Sequence, residues 1–179
     1  KIIQTEKRKD ARYVRDLTIA LHNEISMEDN IVLLENFINQ NFVYKHSLVA
    51  NYAVHIDKKH NPHAHVVVTT RAIEKDGFSA KKNREIDKED FLDTIREDWA
   101  TFSNEYFVKR GLDIRITNKS YKDLGLDVQA TIHEGYAARI KYQIDGFADR
   151  IDHNNDVRLK NAMLIIQDPI QLLKLVCHK

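Results

Sequence analysis

The stretch Asn61-Pro62-His63-Ala64-His65-Val66-Val67-Val68-Thr69-Thr70 decides the fold of this 179-residue chain. Its β-branched residues predict a strand that begins at His63. Proline is tolerated at the first residue of a strand, and Pro62 holds the residue before it in an extended conformation. Residues 47–57 have the composition of a second strand, so we predict that the two form an antiparallel hairpin.

Helices are predicted on both sides of this hairpin. Residues 6–20 are charged and helix-favouring, and Ser26 with Asp29 resembles a capping box that opens a helix through Phe42. Further helices are predicted over residues 91–110, 137–147 and 151–179, the last broken at Asp168-Pro169, with a short strand over 112–117 and a polar loop after Arg71. These elements predict an α+β fold, an antiparallel sheet with long helices packed on one face.

The composition excludes several classes of protein. Hydrophobic residues make up 42% and charged residues 31%, which is typical of a globular chain and not of a disordered one. The single cysteine, Cys177, excludes an internal disulfide framework, and no apolar run is long enough for a membrane span. We therefore expect a cytoplasmic protein. A net charge of +1 means that any nucleic-acid binding must depend on local charge.

The histidines carry the chemical signal. Side chains two residues apart share a face of a strand, so His63 and His65 project to one side. On the partner strand His55 and Asp57 share a face in the same way, and the hairpin can bring the three imidazoles together. Three imidazoles suit one divalent metal and leave positions open for a substrate oxygen, while Asp57 could orient an imidazole. Four other histidines show no partner pattern and are expected to be surface or capping residues: His22, His46, His153 and His178.

These residues resemble a known signature. The segments 55–57 and 61–66, followed by Thr69-Thr70-Arg71, are similar to the metal-site motif of MobA/MobL-type conjugative relaxases. Those enzymes belong to the superfamily named for two histidines separated by a hydrophobic residue. The resemblance includes the relaxase end of large plasmid transfer proteins that carry a helicase further on. It implies that residues 1–150 form a partial relaxase domain and that residues 151–179 form a helical connector toward a helicase.

The resemblance also implies an activity. Relaxases of this kind place the scissile phosphate of single-stranded origin-of-transfer DNA on a divalent metal, Mg or Mn, which in this chain His55, His63 and His65 would hold. A tyrosine then attacks and leaves a 5′-phosphotyrosyl link. Partners would be the origin DNA and other proteins of the conjugation relaxosome. Glu24 matches an acidic position of the family, and with Asp57 it is a candidate catalytic carboxylate.

Basic residues near the histidines are candidates for phosphate contacts. They lie in the loops that flank the metal strands, and they are Lys58, Lys59, Arg71, Lys81, Lys82 and Arg84. Such a patch would make the affinity for DNA fall as the salt concentration rises.

The nucleophile is the part that the resemblance does not supply. In the family the tyrosine lies near the N-terminus, upstream of the segment with which this chain begins. Tyr13 matches no nucleophile motif, and Tyr121 has a counterpart in the family but is expected to have a structural role. We therefore expect a relaxase domain shortened at both ends, with an incomplete palm sheet. Two alternatives remain open: a metal- and DNA-binding remnant without catalysis, and an unrelated metal hydrolase whose ligands mimic the motif.

Overall fold

The computed structural model describes Lys9, residues 11–56 and residues 61–167. It divides into two compact units, Lys1–Gly111 and Leu112–Lys179. Among the described residues, none of the helices combines the length and the apolar character that a membrane span requires.

The first unit is built on a three-stranded antiparallel sheet. Its strands are β1 (Val14–Ala20), β2 (Ala50–His55) and β3 (His63–Thr69), and β3 lies in the centre. In the register of the sheet His63 is opposite both His55 and Ala20. The predicted hairpin of β2 and β3 is confirmed, and the valine-rich β3 is the strand that makes both pairings.

The alternation of side chains gives the sheet two different faces. Ala64, Val66 and Val68 of β3 are buried, together with Leu17 and Ile19 of β1. The intervening residues, which include His63 and His65, point to the other face and are partly exposed. The buried face carries the hydrophobic core and the open face carries the histidines.

Two helical elements pack on the buried face. Helix α1 (Met27–Ile38) starts at Ser26, whose hydroxyl accepts a hydrogen bond of 3.0 Å from the Asp29 backbone N–H, and continues into a π-helical segment, Asn39–Tyr44. Helix α2 covers Phe91–Lys109. Their apolar residues join those of the sheet in one core that contains Leu34, Phe37, Phe42, Phe91 and Ile95. The α+β fold, with helices on one face of an antiparallel sheet, is confirmed.

Two local predictions were wrong. Residues 14–20 form β1 and not a helix, because the buried alternation of Leu17 and Ile19 lets this segment pair along its length with β3. Residues 112–117 form no strand, and the Arg115 guanidinium donates to the backbone carbonyls of Leu112 and Ile114 at 3.4 and 2.6 Å. Amphipathic patterns this short are decided by the partners that tertiary structure provides.

The loop after β3 contains structure that the sequence did not reveal. Strands β4 (Ile73–Glu74) and β5 (Gly77–Phe78) form a small hairpin, and a 3₁₀ turn follows at Glu85–Asp87. This segment returns the chain to the start of α2.

The described part of the second unit, residues 112–167, contains two helices, α3 (Tyr136–Asp145) and α4 (Asp149–Gln167). Both were predicted, while the expected break at Asp168-Pro169 lies outside the described residues. Asn154 of α4 is buried, and its side-chain amide accepts from the Ile132 N–H and donates to the Ile132 carbonyl, both at 2.9 Å. Glu134 forms ion pairs with Arg139 and Arg158 at 3.3 and 3.5 Å, so α3, α4 and the preceding loop are held together.

Candidate metal centre

Three imidazoles meet on the open face of the sheet. His55, His63 and His65 each offer a ring nitrogen, and these three nitrogens lie within 4.8 Å of one another. The ring centroids are 5.0–5.4 Å apart. Period-two alternation and the pairing of His55 with His63 produce this convergence. Among the described residues this is the only cluster of His, Cys, Asp or Glu with the spacing of a metal site.

The second nitrogen of His63 has a defined partner. His63 Nδ1 lies 3.0 Å from the Asn61 backbone carbonyl, which can only accept a hydrogen bond. In the neutral ring this contact favours the tautomer with the proton on Nδ1, which leaves the Nε2 lone pair for a cation. Metal-bound histidines commonly donate their other nitrogen to a carbonyl or carboxylate in this way.

His65 faces two side chains of β1 that sequence reasoning did not identify. Its Nδ1 lies 3.5 Å from the Thr18 hydroxyl and 3.7 Å from the Asp16 carboxylate. Thr18 is opposite His65 in the register, and Asp16 is two residues away on the same face. Because residues 6–20 were predicted to be helical, Thr18 and Asp16 were not recognised as neighbours of β3.

The donor set fits a divalent transition ion. Three imidazoles on a partly exposed face offer three ligands and leave coordination positions open. Imidazole suits ions such as Mn, Fe, Co, Ni and Zn, whereas Mg²⁺ prefers oxygen ligands.

Of the two candidate carboxylates, only Glu24 is among the described residues, and it does not belong to the cluster. Asp57 lies outside the described residues. Glu24 is exposed in the turn between β1 and α1, where its charge acts on His22.

The candidate phosphate contacts separate into three groups. Lys58 and Lys59 lie outside the described residues. Lys81 and Arg84 are exposed, while Lys82 is partly buried and donates to the Arg12 carbonyl at 2.8 Å.

Arg71 is a correction to the predicted phosphate contacts. The side chain is buried, and its guanidinium donates to the carbonyls of Ser79, at 3.1 Å, and Ala80. These carbonyls follow the β4–β5 hairpin, so Arg71 holds the loop, and its guanidinium is less accessible than the exposed side chains of Lys81 and Arg84. A buried cation needs such partners because desolvation is costly.

His22 is a second correction, because it is buried and not at the surface. Its imidazole stacks on Trp99, with ring centroids 5.5 Å apart, and meets the edge of Phe107 at 4.9 Å. Its Nε2 lies in a 2.9 Å hydrogen bond with the Ser103 hydroxyl. Burial lowers the pKa of His22, and the nearby Glu24 carboxylate raises it by a smaller amount. The spacing of Trp99, Ser103 and Phe107 on one helix face was the available signal.

Three tyrosines of the first unit, Tyr13, Tyr52 and Tyr106, lie away from the histidines or have other partners. Tyr13 precedes β1 at the end that pairs with Thr69, whereas the histidines lie at the Ala20 end, roughly 20 Å along the strand. The Tyr52 hydroxyl donates to Glu35 at 2.6 Å. The Tyr106 hydroxyl, on α2, accepts a hydrogen bond of 3.1 Å from Arg110 Nε.

The first unit has an antiparallel sheet with helices on one face and three converging histidines on the other. This is the arrangement expected from the resemblance to relaxase domains. The family model described as MobA/MobL matches residues 1–143. The chain is therefore a member of the MobA/MobL family, the family of conjugative relaxases.

Individual relatives agree with this assignment. The whole chain aligns at 32% identity with the conjugal transfer protein TraA of Agrobacterium fabrum and at 31% with a probable TraA of Sinorhizobium fredii. It spans 18% of the length of each of these relatives. A probable mobilization protein MobA of Bifidobacterium longum is 27% identical over 89% of the chain and 35% of its own length.

A solved structure shares the fold. It is described as "Molecular Basis of Vancomycin Resistance Transfer in Staphylococcus aureus" and superposes with a TM-score of 0.59 at 25% identity. The match covers 67% of this chain and 64% of that one.

Proposed function

We propose that this chain is the metal-binding part of a relaxase that nicks single-stranded origin-of-transfer DNA by tyrosine transesterification. The observation that carries the proposal is the convergence of His55, His63 and His65 on the open sheet face of a MobA/MobL family member. Its partners are the origin DNA and the other proteins of the relaxosome. It acts in the cytoplasm, where plasmid DNA is available for processing.

The residues of the chain have distinct parts in this function. The three histidines hold the cation, and the Asn61 carbonyl keeps His63 in the tautomer that can do so. Mn²⁺ is a better occupant than Mg²⁺ because all three ligands are nitrogens. The histidines would hold a divalent cation there, and it would supply polarisation of a phosphoryl oxygen and offset negative charge on the phosphate. Lys81 and Arg84 are exposed and available to neutralise neighbouring phosphates.

The nucleophilic tyrosine is proposed to come from outside these 179 residues. Tyr13 lies at the wrong end of β1, and Tyr52 and Tyr106 are engaged with Glu35 and Arg110. In the complete reaction a tyrosine oxygen bonds to phosphorus and the bond from phosphorus to the 3′ oxygen breaks. The phenol loses its proton and the departing 3′ oxygen gains one, which leaves a 5′-phosphotyrosyl link.

A metal- and DNA-binding protein without catalysis is the second candidate. The positions and partners of Tyr13, Tyr52 and Tyr106 favour it for this chain alone. The unrelated metal hydrolase has no support, because the family match covers residues 1–143. For the whole protein we propose that residues 1–150 belong to the relaxase domain and residues 151–179 to a connector that leads to a further domain.

Calorimetric titration with Mn²⁺ tests the metal part of this proposal. We expect one site in the wild-type chain, and we expect no binding in His63→Ala because two imidazoles cannot hold the ion tightly. His133→Ala is the matched control, because His133 is exposed in the loop before α3 and does not belong to the cluster. Equal Mn²⁺ affinity in His63→Ala and the wild type would contradict the proposal.

A denaturing gel of labelled origin oligonucleotide tests the catalytic part. We expect no covalent adduct from residues 1–179 and an adduct from a longer protein that includes the family's N-terminal tyrosine. An adduct formed by residues 1–179, and abolished by Tyr13→Phe or Tyr121→Phe, would show that the nucleophile lies within this chain.

A further inference from the structure

The end of β1 is fixed to both helices of the first unit through one residue, His22. Its ring is enclosed by Trp99 and Phe107 and hydrogen-bonded to Ser103, all on α2. The partner hydroxyl is itself fully buried. The ring is thus held by a hydrogen bond and by two aromatic contacts, which define its orientation.

The backbone of His22 is held from the other side. Asn30 of α1 is fully buried, and its side-chain amide accepts from the His22 N–H at 2.9 Å and donates to the His22 carbonyl at 2.8 Å. Both backbone groups of His22 are thus satisfied by one side chain. This arrangement fixes the position of the chain where it leaves the sheet.

The same segment is hydrogen-bonded to the residue just before β3, the strand that carries His63 and His65. The N–H of Leu21 donates to the Pro62 carbonyl at 2.9 Å, one step beyond the pairing of Ala20 with His63. The preceding carbonyl, that of Asn61, accepts from His63 Nδ1 at 3.0 Å. Since proline restricts the residue before it, a shift of Pro62 is transmitted to the Asn61 carbonyl.

We propose that His22 is a positioning residue for the metal centre. The fixed ring of His22 keeps the neighbouring Leu21 in place, and the Leu21 N–H keeps Pro62 in place through its hydrogen bond to the Pro62 carbonyl. Asn61, which precedes Pro62, then presents the carbonyl that sets the tautomer and ring orientation of His63. The inference rests on the proposed function, because it assigns His22 a part in preparing the three-histidine site.

Cobalt binding to the full chain provides the test, because its absorption and its affinity are measured without DNA. We expect His22→Leu and Ser103→Ala to weaken Co²⁺ binding about tenfold, the low end of the effect of outer-shell partners. His22→Gln places an amide where Nε2 lies and should restore most of the affinity. Asn41→Ala is the matched control, because Asn41 is buried and its amide donates to Phe37 within its own helical run.

A second measurement separates positioning from a general loss of stability. In the metal-free wild type, nitrogen chemical shifts should show His63 protonated on Nδ1. In Ser103→Ala both tautomers should appear, while Asn41→Ala should retain the wild-type pattern. This readout remains available if His22→Leu does not fold.

The outcomes distinguish the two proposals. If the wild-type chain binds Co²⁺ and both His22→Leu and Ser103→Ala bind it equally well with an unchanged His63 tautomer, the positioning proposal is wrong and the metal site remains. If the wild-type chain binds no divalent metal, the proposed function is wrong and this inference is overturned with it.

Discussion

At the scale of single residues, the buried imidazole of His22 links protonation to folding. Burial between Trp99 and Phe107 favours the neutral ring, so its pKa in the folded state is below the ordinary value of 6.5. The unfolded chain therefore binds the proton more tightly. Neutral His22 contributes stability that is complete above pH 6.5 and is lost as the pH falls through the lower pKa of the folded state.

We predict that the free energy of unfolding falls between pH 7 and pH 5 and that His22→Gln reduces this dependence. Glutamine does not titrate, so the variant lacks the contribution of His22. His46 also has a lowered pKa, caused by partial burial and the charge of Lys45, and its contribution remains. Urea unfolding at several pH values measures the effect. Identical pH profiles for the two proteins would show that His22 takes up its proton equally in both states.

A comparison of Arg71 with Lys81 separates a structural cation from a surface one. Because the Arg71 guanidinium is buried against the carbonyls of Ser79 and Ala80, Arg71→Gln should cost about 2 kcal/mol of stability. Lys81→Gln should leave the stability unchanged within about 0.5 kcal/mol and reduce the salt dependence of single-stranded DNA binding.

Thermal unfolding and fluorescence anisotropy at several salt concentrations check these two results. If Arg71→Gln were as stable as the wild type and bound DNA more weakly, Arg71 would be a phosphate contact after all.

At the scale of elements, the start of α1 depends on one hydroxyl. Ser26 accepts from the Asp29 N–H at 3.0 Å, and this bond satisfies one of the free donors at the helix N-terminus. We predict that Ser26→Ala lowers the free energy of unfolding by about 1 kcal/mol, whereas Ser26→Asp retains most of the stability. Chemical denaturation measures both variants. A Ser26→Ala protein as stable as the wild type would mean that the cap contributes nothing to α1.

At the scale of the whole molecule, all three metal ligands belong to the first of the two compact units. The chain has one tryptophan, Trp99, which packs against Phe37 at 5.1 Å in the core of that unit. Its fluorescence therefore follows the unfolding of the unit that carries the site.

We predict that Mn²⁺ at about 100 times its dissociation constant stabilises this unit by about 2.7 kcal/mol. The midpoint of the tryptophan transition should rise by about 10 °C. His63→Ala should show no rise, because its site is incomplete. A comparable rise in that variant would place the stabilising ion elsewhere.

The sequence alone determined the central features of this protein. The valine-rich β3, its pairing with β2, the Ser26 cap and α2 were predicted, and so was the convergence of His55, His63 and His65. All of these depend on periodicity or spacing within a short segment, and such local patterns are directly visible in the sequence.

Only the tertiary structure decided the remaining features. Residues 14–20 became a strand because β3 offered them partners 43 or more positions away. His22 became buried because α2, which carries Ser103 81 positions further along the chain, packs against it. Arg71 became buried because the segment that follows the β4–β5 hairpin places the backbone carbonyls of Ser79 and Ala80 beside its guanidinium. Burial and pairing depend on contacts between distant segments, and no local pattern in the sequence records which segments will meet.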